Sequence, residues 1–485
     1  MSTTQSVAKN SVAKNTAALY FAQIVMAVQG IIISILIGRQ LGDVDLGKYA
    51  FGMSFTMLFI AFLDLGFPTV IIREVARDKP LASKYLGNII IIQLFLSVIL
   101  YGLLAITIKL MAYPNETVII VLICGLYNFF NTSSVIFQAA FTAFERMEYV
   151  ALAQSIASLI TIALALVASL ILGYGLVGIT CTVLIGGFIQ LLVSFFICSR
   201  KIARPEIKFD INFSKNILKM AIPLTIVTLA SILYIRISTV MVSVMKGDEP
   251  VGWLSAAYSI VFMLTPIAGL YVQAVLPKMS RDAISSIDSL KRSADRAMRF
   301  TITIGLPLAV GTALVADRII PLLYGQEFNN SIIVLQIMVI YVFFAFLYIP
   351  LANILVAMNK QNSWIILACI AVVLEVILNL ALVPHFSYRG AAMAFAITGA
   401  VLFAPAFYLV SRYLHRPPLL RIIGGCLIPC TAMPLFIHFC PTLNVILIIS
   451  LGAFIYFALL FVTNYKEMQF IRKGATSIIQ GLKKR

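Results

Sequence analysis

Fourteen apolar stretches, each long enough to form a membrane span, follow one another through this chain with only short polar breaks, and no other feature constrains its fold so strongly. They lie near 15–38, 47–72, 86–111, 116–141, 150–172, 174–198, 220–245, 251–277, 299–322, 331–357, 363–383, 389–412, 420–439 and 443–464. About 20 apolar residues let a helix cross the hydrocarbon core of a bilayer. The chain is 61% hydrophobic and 11% charged, against roughly half and a quarter for soluble domains. The expected fold class is therefore an all-α polytopic membrane protein of about fourteen transmembrane helices.

Charge orients the spans. Of 36 lysines and arginines, 29 fall in the alternate connections on the side of the N-terminus, six on the other side, and Arg236 inside a span. Basic loops stay cytoplasmic, so both termini are expected inside a cell membrane. The net charge of +17 is explained in this way and calls for no nucleic-acid partner. The N-terminus leads into a full-length span with no small-residue cleavage site, so no removed signal peptide is expected.

The chain also repeats itself. "GDVDLGKY" (42–49) returns as "GDEPVGWL" (247–254), "TAFERMEY" (142–149) as "VAMNKQNS" (356–363), and "GYGLVG" (173–178) as "SYRGAA" (387–392), in the same order and at a nearly constant offset. Six spans per copy is an even number, so both copies point the same way. Parallel repeats holding a substrate between them near the midplane are a transporter design. The expected organisation is an N-lobe at 1–198, a basic cytoplasmic linker at 199–219, and a C-lobe at 220–412. Two extra spans follow at 413–464, then a basic amphipathic tail at 465–485 that reads as an interfacial helix on anionic lipid. The two pseudo-symmetric six-helix lobes would surround a central cavity.

Other chemistries find little support. "GDVDLGK" has the spacing of a phosphate-binding loop, but Tyr49 replaces the hydroxyl that would hold Mg²⁺, and no strand precedes it. The three histidines are far apart and the seven cysteines form no C-x-x-C pair, so no metal, cofactor or disulfide frame is expected.

Charges within spans are costly and face a partner or a cavity. Three stand out: Asp64, Arg236 and Glu375. Arg236 shares a polar stripe with Thr225, Thr228, Thr239 and Ser243, which reads as one wet side of the seventh span, preferred over an interhelical salt bridge that only fixes packing. Asp64, beside Gly66 and Pro68, is either a proton- or cation-coupling carboxylate or a structural acceptor at a bent helix. Glu375, with Asn379 one turn on, has the same two readings, the structural one preferred. Gln23 belongs to a small and polar stripe that is either a packing seam or a cavity wall. Asn128 and Asn131 sit on an unusually polar fourth span, suited to a sugar-bearing substrate or to gluing helices together.

"LGDVDLGKYAFG", "DLGFPTVIIREVAR", "FTAFERMEYVALAQ", "IIPLLYGQEF" and "ANILVAMNKQN", in this order, resemble the polysaccharide (O-antigen type) flippases of the multidrug/oligosaccharidyl-lipid/polysaccharide (MOP) exporter superfamily. The resemblance implies a V-shaped transporter, not an enzyme. It would turn a polyprenyl-diphosphate-linked oligosaccharide from the cytoplasmic to the outer leaflet by alternating access, for cell-surface polysaccharide assembly. It also implies basic residues in the cavity to meet the diphosphate: Arg236 within a span, with Arg39 and Arg73 at span ends. A proton or Na⁺ gradient is the expected energy source. The expected partners are the lipid-linked oligosaccharide, membrane lipids, and a polymerase or glycosyltransferases of the same pathway. The alternatives are a cation-coupled multidrug exporter, for which spans 13 and 14 are superfluous, and a lipid II-type flippase, for which the cavity is poor in arginine.

Overall fold

A computed structural model describes residues 2–439 and 444–463, and among these every regular element is helical. In chain order the helices are α1 (Ser2–Asp64), α2 (Phe67–Arg77), α3 (Ala82–Leu110), α4 (Asn115–Ala143) and α5 (Met147–Leu166). There follow α6 (Leu176–Lys201), α7 (Ile211–Lys246), α8 (Asp248–Leu264), α9 (Pro266–Ser285) and α10 (Ile287–Leu314). The last five are α11 (Ala316–Tyr324), α12 (Asn330–Ala357), α13 (Gln361–Tyr413), α14 (Leu419–Phe439) and α15 (Val445–Thr463). The expected interfacial tail at 465–485 lies outside the described residues.

Twelve helical segments among the described residues are long and apolar enough to cross a membrane. Two of them run 57 and 53 residues. Straight helices of that length would reach about 80–85 Å, far beyond a core of about 30 Å. Each is broken. α1 leaves helical geometry at Gly42 (φ 88°, ψ −176°), and α13 does so at Ser387 (φ 51°, ψ −134°). Counted by limbs, the segments are consistent with about fourteen spans.

The packing divides the chain into two compact units, Met1–Ser255 and Ala256–Arg485. In the first, α7 packs against α1, α2 and α3. Its largest buried cluster joins Phe67, Val70 and Ile71 of α2 to Tyr85, Leu86 and Ile89 of α3 and Phe137, Ala140 and Phe141 of α4. In the second, α12 is wrapped by α9, α10 and α13, with Leu347, Leu351 and Leu355 buried against Met298 and Ile302.

The turns repeat with the sequence. Gly247 (φ 85°, ψ −171°) copies the backbone of Gly42, its counterpart in the first copy of the motif. After α4, Glu145 (φ 59°) ends the helix and the Arg146 amide donates to the Phe141 carbonyl (2.8 Å). After α12, Asn359 (φ 59°) and Lys360, whose amide donates to Leu355 (2.8 Å), do the same at the matching place. Gly173 and Ser387 form another matched pair of positive φ, as do Ala112 and Gly325. Left-handed residues are rare and mark obligatory turns, so four such pairs make the repeat structural.

One break has no counterpart. α1 ends at Asp64, and Leu65 (φ 44°) and Gly66 (φ 70°) turn the chain into α2. A few residues ahead of the matching place α8 gives way to α9 through Thr265, which stays right-handed (φ −62°) and is followed by Pro266.

Candidate functional site

The glycines of "GDVDLGK" are explained by the crossing of two helix starts. A Cβ on Gly47 would lie 1.9 Å from the Asp248 carbonyl oxygen, and one on Gly252 would lie 2.0 Å from that of Asp43. The contact is reciprocal between matching positions, so the two copies of the motif pack on each other as a local pseudo-dyad. Only glycine lets backbones approach so closely. Asp43 fixes the crossing with both oxygens: Oδ1 accepts from the Val44 amide (2.8 Å) and Oδ2 from Trp253 Nε1 (2.7 Å). Beside it Lys48 joins Asp45 (3.0 Å) and Glu116 (2.6 Å), and Ser243 bonds Tyr113 (2.9 Å).

Depth in the first unit can be measured from this crossing. Arg236 stands about 16 Å along α7 from Gly247 at 1.5 Å per residue, near the middle of the membrane-crossing segment Thr228–Lys246. It is half-buried and close enough to act electrostatically on the half-buried phenols of Tyr49, on α1, and Tyr127, on α4. Tyr49 and Tyr127 thus bring α1 and α4 within electrostatic reach of one guanidinium on α7. The aromatic pair was not singled out in the sequence. Its signal, two tyrosines within apolar runs, is weak without the fold.

Two other polar residues of the expected stripe are satisfied on α7 itself. Thr225 and Thr228 donate to the carbonyls of Ala221 (3.2 Å) and Leu224 (3.4 Å). On α4, the Asn128 side-chain amide donates to Thr56 Oγ1 (2.8 Å). Gln190 on α6 donates to Asn131 Oδ1 (3.2 Å) and Ser134 Oγ (3.0 Å), and Gln154 on α5 donates to Gln138 Oε1 (2.9 Å). This ladder ties α4 to α1, α5 and α6. Asn128 is buried and Asn131 half-buried.

The remaining candidates are dispersed. Arg39 and Gln23 are exposed on the first limb of α1. Arg73 is exposed on α2, bonded to Glu74 (2.7 Å) with Nη2 on the Met220 sulfur (3.3 Å). The helical path along α1 and α2 from Gly42 to Arg73 is about 45 Å long. Arg39 and Arg73 thus lie at opposite ends of this path, with the break after Asp64 between them.

Asp64 sits at the unique break. Its Oδ1 is buried with no hydrogen-bond partner among the described residues. Gly66 is pressed there against α7, where a Cβ would come 2.5 Å from that of Leu224. Glu375 lies in the second unit, fully buried, and Asn379 Nδ2 donates to its Oε1 (3.0 Å) and its carbonyl (2.8 Å). It acts electrostatically on Tyr341, whose hydroxyl meets that of Tyr348 (3.1 Å).

Among the described residues no group of three or more histidines, cysteines or acids is placed to hold a metal ion.

Comparison with known proteins agrees with this architecture. Residues 12–282 match the family model for the polysaccharide biosynthesis protein family. A capsular polysaccharide biosynthesis protein, CapF of Staphylococcus aureus, is 23% identical over 421 residues, covering 82% of this chain and 99% of CapF. The lipid II flippase MurJ, in an inward closed conformation, superposes with a TM-score of 0.77 at 18% identity, over 92% of this chain and 98% of MurJ. An inward-facing multidrug resistance transporter of the MATE family, in the MOP superfamily, gives 0.65 at 17% identity, over 81% and 98%. The chain thus belongs to the polysaccharide biosynthesis protein family and has the fold of the MOP-superfamily transporters.

Proposed function

We propose that the protein is a flippase that carries a polyprenyl-diphosphate-linked oligosaccharide from the cytoplasmic to the outer leaflet by alternating access. The observation that carries this reading is Arg236, a guanidinium at membrane mid-depth in a chain of the polysaccharide biosynthesis family. An arginine at the centre of a span costs about 2.5–3.5 kcal/mol on insertion scales, so it is retained for a partner. A planar, permanently charged fork suits a diphosphate better than a sugar hydroxyl. Tyr49 and Tyr127 would help hold it in place. Likeness to CapF suggests a capsule-type glycan.

The driving force in this reading is an ion gradient, and Asp64 is the coupling carboxylate. Its buried oxygen and the break that carries it are peculiar to the first repeat. Glu375, braced by Asn379, serves the fold of the second unit. A polymerase or glycosyltransferase of the pathway would supply or receive the substrate.

Deleting the gene and analysing lipid-linked glycans tests the reading. Build-up of the lipid-linked oligosaccharide on the cytoplasmic face supports it. Unchanged glycans with increased drug sensitivity would replace it with multidrug export.

A further inference from the structure

The connector between α6 and α7 is not a slack tether. Residues 202–210 carry no helix, yet they are bonded along one edge to the start of α3. The Glu206 amide donates to the Ser83 carbonyl (2.9 Å), and a Cβ on Gly87 would come 1.8 Å from the Glu206 carbonyl oxygen. The Asp210 amide and Ser214 Oγ both donate to Oδ1 of the buried Asn88 (2.9 and 3.1 Å). The Asp210 carboxylate pairs with Lys84 (2.8 Å) and caps α7 through the Phe213 amide (3.0 Å).

Extended chain alternates its side chains between two faces. Between residues 206 and 210, both tied to α3, the Lys208 amide turns back to the Glu206 carbonyl (2.8 Å), and the apolar Ile207 and Phe209 on either side of it stand away from α3. Ile207 is 86% exposed, Phe209 54%, and Ile211, opening α7, 59%. Arg204, Lys208, Lys215 and Lys219 are exposed around them, Lys208 paired with the exposed Glu206 (3.3 Å). Three large apolar side chains held rigidly in the open and ringed by cations mark an interaction surface.

We infer that this connector is a docking surface for anionic phospholipid headgroups, with Ile207, Phe209 and Ile211 entering the interfacial region of the bilayer. Two observations select the bilayer. α6, a membrane-crossing helix that ends at Lys201, leads directly into the connector. The cationic rim is complementary to an acidic leaflet and repels a second copy of itself. The attachment to Ser83, Lys84 and Asn88 would then fix the height of α7, and with it Arg236, relative to the membrane surface.

The test uses the full-length Phe209→Trp protein in phosphatidylcholine vesicles. Part of the lipid is replaced either by acyl-brominated phosphatidylglycerol or by the same amount of acyl-brominated phosphatidylcholine. The emission in excess of the parent protein is expected to be quenched by both and more strongly by the anionic lipid. Lys208→Gln should reduce that preference by up to about fivefold at low salt. Absence of quenching would overturn the inference, because water or protein would then cover Phe209. So would equal quenching by the two lipids, or quenching that appears only when the protein is diluted within the vesicles, the sign that a second copy covers Phe209. Phe209 is exposed and the variant keeps every connector bond, so folding is verified by an unchanged melting temperature.

Discussion

At the residue scale, glycine is the most exacting demand the chain makes. Gly47→Ala or Gly252→Ala would drive a methyl group into the opposing carbonyl. Each is expected to cost about 1–3 kcal/mol or more, because backbone must move, and to lower the melting temperature in detergent. Gly30→Ala and Gly102→Ala meet nothing within 4 Å and should leave it unchanged. Arg236 makes a different demand. Arg236→Lys keeps the charge but loses the bidentate fork, a loss of about 1.5–3 kcal/mol for one charge-assisted bond. Transport should fall about tenfold or more while expression and melting are retained. Asp64→Asn should leave a folded protein whose transport no longer responds to the ion gradient, whereas Glu375→Gln should leave that response intact. The repeated "GD…G" motif was legible in the sequence as a motif. That its glycines face each other was not, because a close approach between positions so distant along the chain exists only in the fold. Equally, Arg236 was visible as a charge within a span, but Tyr49 and Tyr127 look like any tyrosines in an apolar run.

At the scale of elements, the outer ends of helices were hardest to foresee. Hydropathy marks where lipid begins and not where hydrogen bonding stops. α10 runs from Ile287, three turns before its apolar run opens near residue 299, through charged residues including Arg292, Arg296 and Arg299. The break after Asp64 was suggested by Gly66 and Pro68, and left-handed Leu65 makes it sharper than a proline bend. The connector looked like a basic linker over 199–219; only 202–210 escape helix, because Asp210 caps α7 early. Its hydrogen bond to Lys84, then that from the Phe213 amide, holds the Asp210 carboxyl below the usual carboxylate range. A carboxyl with a depressed folded-state pKa contributes fully above its unfolded value, about 3.9. It loses that contribution as pH falls through the lower folded value. Hydrogen exchange across residues 205–214 should therefore stay slow at neutral pH and accelerate on acidification below that range. Asp210→Asn, which keeps an N-cap but loses the ion pair, should abolish the acid-dependent step.

On the scale of the whole molecule, repetition and charge bias together argue for one topology. Six spans per repeat and the 29-to-6 partition of basic residues would put both termini on the cytoplasmic side. Reporter fusions after residues 201 and 359 should report the cytoplasm, and fusions after 113 and 246 the opposite compartment. The fold class was legible because bilayer thickness fixes span length so tightly. The substrate was not, because hydroxyl and amide side chains that suit a glycan, such as Asn128 and Asn131, are also those that bind helices together, and here they do so. The central claim is movement of a lipid-linked sugar past Arg236, and the most direct measurement is translocation by the purified protein in sealed vesicles. A polyprenyl-diphosphate oligosaccharide is loaded in one leaflet and its arrival in the other is read with a membrane-impermeant glycosidase. The account predicts rapid arrival with the wild-type protein and, with Arg236→Ala, arrival no faster than in protein-free vesicles. Equal rates for wild-type and protein-free vesicles, or full activity of Arg236→Ala, would contradict it.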